Sequence, residues 1–97
     1  MTTFPLTLHR TYYRQGFFHV AGDFDRYLGE DGQEVTLLMG DGARIEGRVN
    51  RSANLNGTAR VMGGLRLRDW FHAKCREQDR LLVEFLSTGV IRLQKAS

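Results

Sequence analysis

Few residues in this chain have side chains suited to catalysis, and they are scattered. Histidines stand at 9, 19 and 72, and the one cysteine is Cys75. Nucleophilic catalysis needs a base beside the nucleophile, and a zinc site needs Cys, His or carboxylate ligands at recurring spacing. Neither pattern occurs. The three histidines read as structural or surface residues. Asp23 suits a helix N-cap, and Asp41 suits the tight turn Gly40-Asp41-Gly42. That turn lacks the further glycine and helix of a dinucleotide loop. Gly63-Gly64 lacks the Lys-Ser/Thr pair of a P-loop. Cys75 falls on an apolar helix stripe and reads as a small core residue. The expectation is no catalytic residue, no metal and no cofactor, so not an enzyme.

The cations are more informative. Of 14, 12 are Arg and only Lys74 and Lys95 are Lys. Arg carries a planar fork of donors that fits guanine edges and phosphates, whereas Lys is a mobile point charge. Genomic base composition would produce the same bias, so position matters. Residues 7–16 hold Arg10 and Arg14 with Tyr12, Tyr13, Gln15 and no acid. Residues 44–68 hold six Arg and one acid, Glu46. The two stretches carry +2 and +5, leaving −4 on the rest of a chain whose net charge is +3. Separation of this kind is the electrostatic footprint of a nucleic-acid binder.

These residues must be held by elements of a small domain. Ninety-seven residues make one domain, residues 1–97, without linker or repeat. Apolar alternation punctuated by 11 glycines points to short strands. The pattern predicts strands over 4–8, 16–20, 34–39, 43–50, 58–62, 81–86 and 90–93. Pro5 places the first at a sheet edge. Residues 7–16 read as an irregular connection. Helices are expected over 23–29 and 65–75, the latter with Leu67, Trp70, Phe71 and Cys75 on one stripe. The fold class is mostly β: a seven-stranded open pseudobarrel with two short helices.

Strand phase then aims the charges. With Ile45, Gly47 and Val49 inward, Arg48 and Asn50 face out. With Ala59 and Val61 inward, Thr58 and Arg60 face out. The loop between adds Arg51, Ser52, Asn54 and Asn56. Arg reads guanine and Asn reads adenine in the major groove, which a two-stranded ribbon can enter. The same spacing also suits a merely solvated hairpin face.

Three segments carry a family resemblance. They are Tyr13-Arg14-Gln15-Gly16-Phe17-Phe18-His19-Val20, the run from Val49 to Val61, and Leu67-Arg68-Asp69-Trp70-Phe71. Together they resemble the B-three-like DNA-binding pseudobarrel superfamily. That superfamily includes the plant B-three transcription-factor domain and the recognition domains of type II restriction endonucleases such as EcoRII and BfiI. The resemblance spans nearly the whole chain and implies two arms that grip the major groove. Residues 7–16 would be the N-arm and residues 48–60 the C-arm. Glu77-Gln78-Asp79-Arg80 stands where plant domains carry a Gly-Asp pair, with Asp79 keeping the acid. The run Asn56-Gly57-Thr58-Ala59-Arg60 is closer to the bacterial restriction-associated domains.

The reading is sequence-specific binding of double-stranded DNA, as a recognition module or small regulator. A catalytic nuclease would then be a partner domain or chain. Arg10, Arg14, Arg48, Arg51 and Arg60 would supply charge and guanine recognition. Gln15, Asn50, Asn54 and Asn56 would supply amide readout, and Thr58 would lie on the same face. Tyr12 or Tyr13 would pack on the backbone or a thymine methyl, and Arg66 and Arg68 would hold phosphates. The alternative is a protein-interaction or small-ligand-binding β-barrel that uses the Arg-rich surface. No apolar run approaches the roughly 20 residues of a membrane span. The N-terminus has no secretory pattern, and a lone Cys suits a reducing compartment, so the expected location is cytoplasmic.

Overall fold

The computed structural model describes residues 2–20, 22–52 and 59–96, and the side chains of Asp23 and Asp25 lie outside that description. Seven strands form one curled sheet: β1 (Thr2–Thr7), β2 (Phe17–Val20), β3 (Glu34–Met39), β4 (Arg44–Asn50), β5 (Ala59–Met62), β6 (Arg80–Ser87) and β7 (Val90–Lys95). Their spatial order is β1-β6-β7-β3-β4-β5-β2, an open half-barrel whose two edges are consecutive strands. All pairings are antiparallel except β3 with β7. Pro5 lies on edge strand β1, opposite Leu82, where a missing N–H breaks no central ladder.

Alternation holds as expected from the sequence. Ile45, Gly47 and Val49 are buried while Arg44, Glu46 and Arg48 are exposed. The inward residues form one apolar cluster with Phe18, Val61, Leu81, Val83, Ile91 and Leu93 fully enclosed. Helix α2 (Gly64–Lys74) closes that cluster with Leu67 and Phe71, and Cys75 at its end is also buried. Burial chiefly holds the Cys75 thiol above its ordinary pKa, as a core cysteine requires. Trp70 is half-buried, and its Nε1–H donates to Asp41 Oδ2 at 3.1 Å. Asp41 Oδ1 accepts from the Ala43 N–H at 3.1 Å, and Lys74 Nζ is 3.7 Å from Oδ2. One carboxylate therefore shapes the β3–β4 turn and ties it to α2.

The helices depart from the sequence reading at two places. Residues 7–16 are not an irregular connection: Arg10–Gln15 form a helix, α1. Its sequence hides it. His9 makes no side-chain cap bond, the first turn carries no acid, and none of its residues is buried. Six residues are too few to hold a helix in isolation. Packing against α2 supplies the difference: the Tyr13 and His72 rings lie 4.4 Å apart, and His72 Nε2 donates to the Tyr13 carbonyl at 2.9 Å. The second departure is at Gly22–Tyr27, which is a 3-10 helix rather than an α-helix over 23–29. A three-residue period places Phe24 and Tyr27 on one side. Both rings pack on Phe85, at 6.5 and 5.4 Å.

Gly16 ends α1 at φ 75°, in the left-handed region, and its carbonyl accepts from the Gly63 N–H at 2.9 Å. A Cβ there would collide with the Gly64 carbonyl oxygen and approach the Arg68 nitrogen at 2.7 Å. Gly42 has φ 94° but open space around a Cβ. Gly16→Ala is therefore expected to cost about 2–4 kcal/mol, strain plus collision. Gly42→Ala should cost only about 1 kcal/mol. Urea denaturation at constant m-value checks the contrast, and equal costs would refute the α1–α2 contact.

The Ala43 N–H, then the Trp70 indole, then Lys74 hold the Asp41 carboxyl below its usual pKa. A depressed carboxyl pKa adds stability above the unfolded-state value, and that stability is lost as pH falls through the folded-state value. Asp41→Ala should thus lower the Tm near about pH 7, with the gap to wild type closing below about pH 4. A gap independent of pH would show that the charge plays no part.

Candidate nucleic-acid interface

Strands β4, β5 and β2 lie side by side at one end of the sheet and place outward residues in rows. Asn50 is opposite Arg60, which is opposite His19. Arg48 is opposite Met62, which is opposite Phe17. The alternate residues Val49, Val61 and Phe18 point into the core. Residues about 40 apart in the chain thus become neighbours, and α1 packs beside them through Tyr12.

The centre of this face is a side-chain chain crossing three elements. The Tyr12 hydroxyl of α1 is 2.9 Å from His19 Nδ1 of β2. Arg60 Nε of β5 donates to His19 Nε2 at 2.9 Å. The Arg60 guanidinium lies over the Phe17 ring, 4.8 Å from its centroid, and the Tyr12 ring meets Phe17 edge-on at 5.3 Å. Phe17 is buried yet is not a member of the main core cluster, because Tyr12 and Arg60 cover it from outside. An Arg nitrogen only donates, so His19 Nε2 must be the bare acceptor and Nδ1 carries the proton of the neutral ring. Burial first and the Arg60 charge second lower the His19 pKa, favouring that neutral form.

The remaining site residues divide by what they touch. Arg14 and Gln15 are exposed on α1, and Arg66 is exposed in the first turn of α2. Among the described residues no ion pair engages Arg14 or Arg66. Arg10 is 3.5 Å from Glu77, Arg48 is 3.8 Å from Glu34, and Arg68 is 3.2 Å from Asp69. Such surface pairs are worth about 0–1 kcal/mol and yield readily to another anion.

Arg51 is built into the fold: its Nε donates to the Gly29 carbonyl at 2.9 Å and its Nη2 to the Leu28 carbonyl at 3.4 Å. Asn50 Oδ1 accepts from the backbone N–H of Ser52 at 3.0 Å and from its hydroxyl at 3.2 Å, shaping the turn out of β4. Tyr12 and Tyr13 are half-buried and packed on His19 and His72. Asn54, Asn56 and Thr58 lie outside the described residues.

Two contributors escaped the sequence reading. His19 reads there as a structural or surface histidine, because only register shows that it faces Arg60. Arg44 enters the sequence reading only as charge, yet it lines a shallow groove with Arg66, Asp69 and Trp70 between β4 and α2. Among the described residues, no three His, Cys, Asp or Glu side chains are grouped to hold a metal ion. No described helix is long and apolar enough to cross a membrane.

No family model matches the chain, and no curated protein does. Solved structures do. A hypothetical protein of Arabidopsis thaliana superposes with a TM-score of 0.71 at 12% identity, over 95% of this chain and 86% of that one. The N-terminal domain of Helicobacter pylori LlaJI.R1 superposes with a TM-score of 0.69 at 11% identity, over 97% of this chain and 79% of that one. At such identities the likeness concerns the fold, and the fold this chain shares with both is an open β half-barrel.

Proposed function

We propose that the chain binds double-stranded DNA, with α1 and the β4–β5 pair as two arms that enter the major groove and read sequence. One observation carries this reading. Two basic stretches separated by nearly 30 residues of chain become adjacent, joined by the β2–β5 ladder and the Tyr12–His19–Arg60 bridge. Folding a net charge of +3 into a basic face on an otherwise acidic body is what attraction to a polyanion requires.

Roles follow from how firmly each residue is held. Arg14 and Arg66, without an ion pair among the described residues, and the weakly paired Arg10, Arg48 and Arg68 suit phosphates, which need charge more than orientation. Gln15 on α1 and Arg60 on β5 suit base edges, where geometry decides. Arg51 supports the face from behind through its carbonyl contacts. On this reading the chain is a recognition module, and any cleavage chemistry belongs to a partner domain or chain. The curled, seven-stranded fold is the one implied by the resemblance to DNA-binding pseudobarrels, and it supports the reading.

The double variant Arg14→Glu with Arg48→Glu should abolish the gel shift of a duplex that the wild-type chain retards. For the wild type, log K should fall linearly with log salt by roughly 0.9 per phosphate neutralised. Each single variant, Arg14→Glu or Arg48→Glu, should show a slope shallower than wild type by about 0.9. A double variant that shifts duplex as wild type does would overturn the arm assignment. A wild-type chain with no salt-sensitive duplex binding would overturn the function.

A further inference from the structure

Arg60 differs from the other arginines of the face in being held at three points by groups of known geometry. Its backbone lies in the middle of a ladder, paired to Asn50 on one side and His19 on the other. Its Nε is bonded to His19 Nε2 at 2.9 Å, and its guanidinium carbon lies over the Phe17 ring, 4.8 Å from the centroid. An Arg held through Nε and lying over a ring has the direction of its guanidinium restricted. Preorganisation of this kind lowers the ordering cost of a bidentate contact.

His19 is the hinge of that arrangement. Its ring is bonded to both arms, to Tyr12 of α1 and to Arg60 of β5. Only the neutral Nδ1–H tautomer serves both, since Nε2 must stay bare to accept from Arg60. Protonation would set an N–H against the Arg60 N–H and one cation against another. The charged or titratable groups facing this cluster, among the described residues, are Arg60 from β5, and Tyr12 and His9 from α1 and its N-cap. The His9 ring is 5.5 Å from that of Tyr12.

We infer, resting on the DNA-binding reading, that Arg60 is a specificity-determining residue of the face. His19 is its positioning residue: the neutral imidazole orients the Arg60 guanidinium toward a guanine edge and couples the two arms. Acid therefore uncouples reading from binding. Protonated His19 adds positive charge, which favours phosphate contact, while it breaks the Nε bond that orients Arg60, which costs discrimination. Sequence preference then falls at a pH where overall affinity does not.

The test uses the full chain and a duplex selected by it from a random pool, competed against a scrambled duplex of equal length. Wild-type discrimination should hold near about pH 7 and fall only as pH drops below the ordinary imidazole value of about 6.5, by about 10-fold once His19 is charged, the size of one lost bidentate contact. His19→Leu should discriminate about 10-fold less at the higher pH and show no further fall. His19→Gln, which keeps an acceptor, should retain most of the discrimination without the acid loss. Arg60→Lys should match His19→Leu, and combining the two should cost nothing more.

A measurement without DNA guards against variants that fold poorly. Long-range 1H–15N NMR of the wild type should show His19 as the Nδ1–H tautomer. The Arg60 Nε–H signal should shift with the His19 titration and with no other. An Nε2–H tautomer, or an Arg60 signal indifferent to His19, overturns the assignment. So does His19→Leu discriminating as well as wild type. A wild-type chain that retains no duplex of any sequence overturns the DNA reading itself, a result distinct from either of these.

Discussion

The four-residue ladder between β2 and β5 is where this molecule is assembled. Phe17–Val20 meets Ala59–Met62 residue for residue, joining segments about 40 positions apart. Its inner side chains, Phe18, Val20, Ala59 and Val61, are fully buried and lock the register, since a slip of one residue would turn them out to solvent. Its outer side chains inherit that register, so His19 faces Arg60. The next contact along the chain follows from the same alignment: the Gly63 N–H reaches the Gly16 carbonyl just beyond the ladder. That bond seats the end of α1 on the start of α2. Without the ladder there would be no reason for α1 to be helical and no composite basic face.

The face uses burial and exposure for different ends. Arginines in exposed, long ion pairs keep their charge available at little cost, because water screens the competing carboxylates. Arg60 is half-buried and tied to an imidazole and a phenyl ring, so its orientation is restricted while its charge is retained. Arg51 is tied further, to backbone carbonyls, and serves the fold. The same residue type thus occupies three environments, from solvent to scaffold, within one patch. A neutral histidine is the natural support for Arg60: a carboxylate in its place would cancel the positive charge the face presents.

Much of the architecture is legible in the residues. Period-two alternation over 34–39 and 43–50, with Gly40-Asp41-Gly42 between, marks the β3–β4 hairpin and tells which side of each strand is buried. The stripe Leu67, Trp70, Phe71 and Cys75 marks α2. Pro5 marks an edge. What eludes a linear reading are elements held by distant partners. Helix α1 lacks a capping side chain and a buried stripe, so its sequence resembles a loop. The parallel pairing of β3 with β7 joins residues more than 50 positions apart and leaves no local trace. Phe24, Tyr27 and Leu28 have the spacing of an α-helical face, but the segment at 22–27 is the tighter spiral, which presents two rings to Phe85.

By itself, then, the sequence determined the strand count, the strand phases, the buried stripe of α2 and the division of charge into two basic stretches and an acidic remainder. These are local properties, set by side-chain type and by periods of two or 3.6 residues. The tertiary structure alone decided that the two stretches share one face, that residues 10–15 coil into a helix, and that His19 stands between Tyr12 and Arg60. Each of these depends on register between strands far apart in the chain. Register is fixed by the collective burial of the core, which no short run of residues encodes.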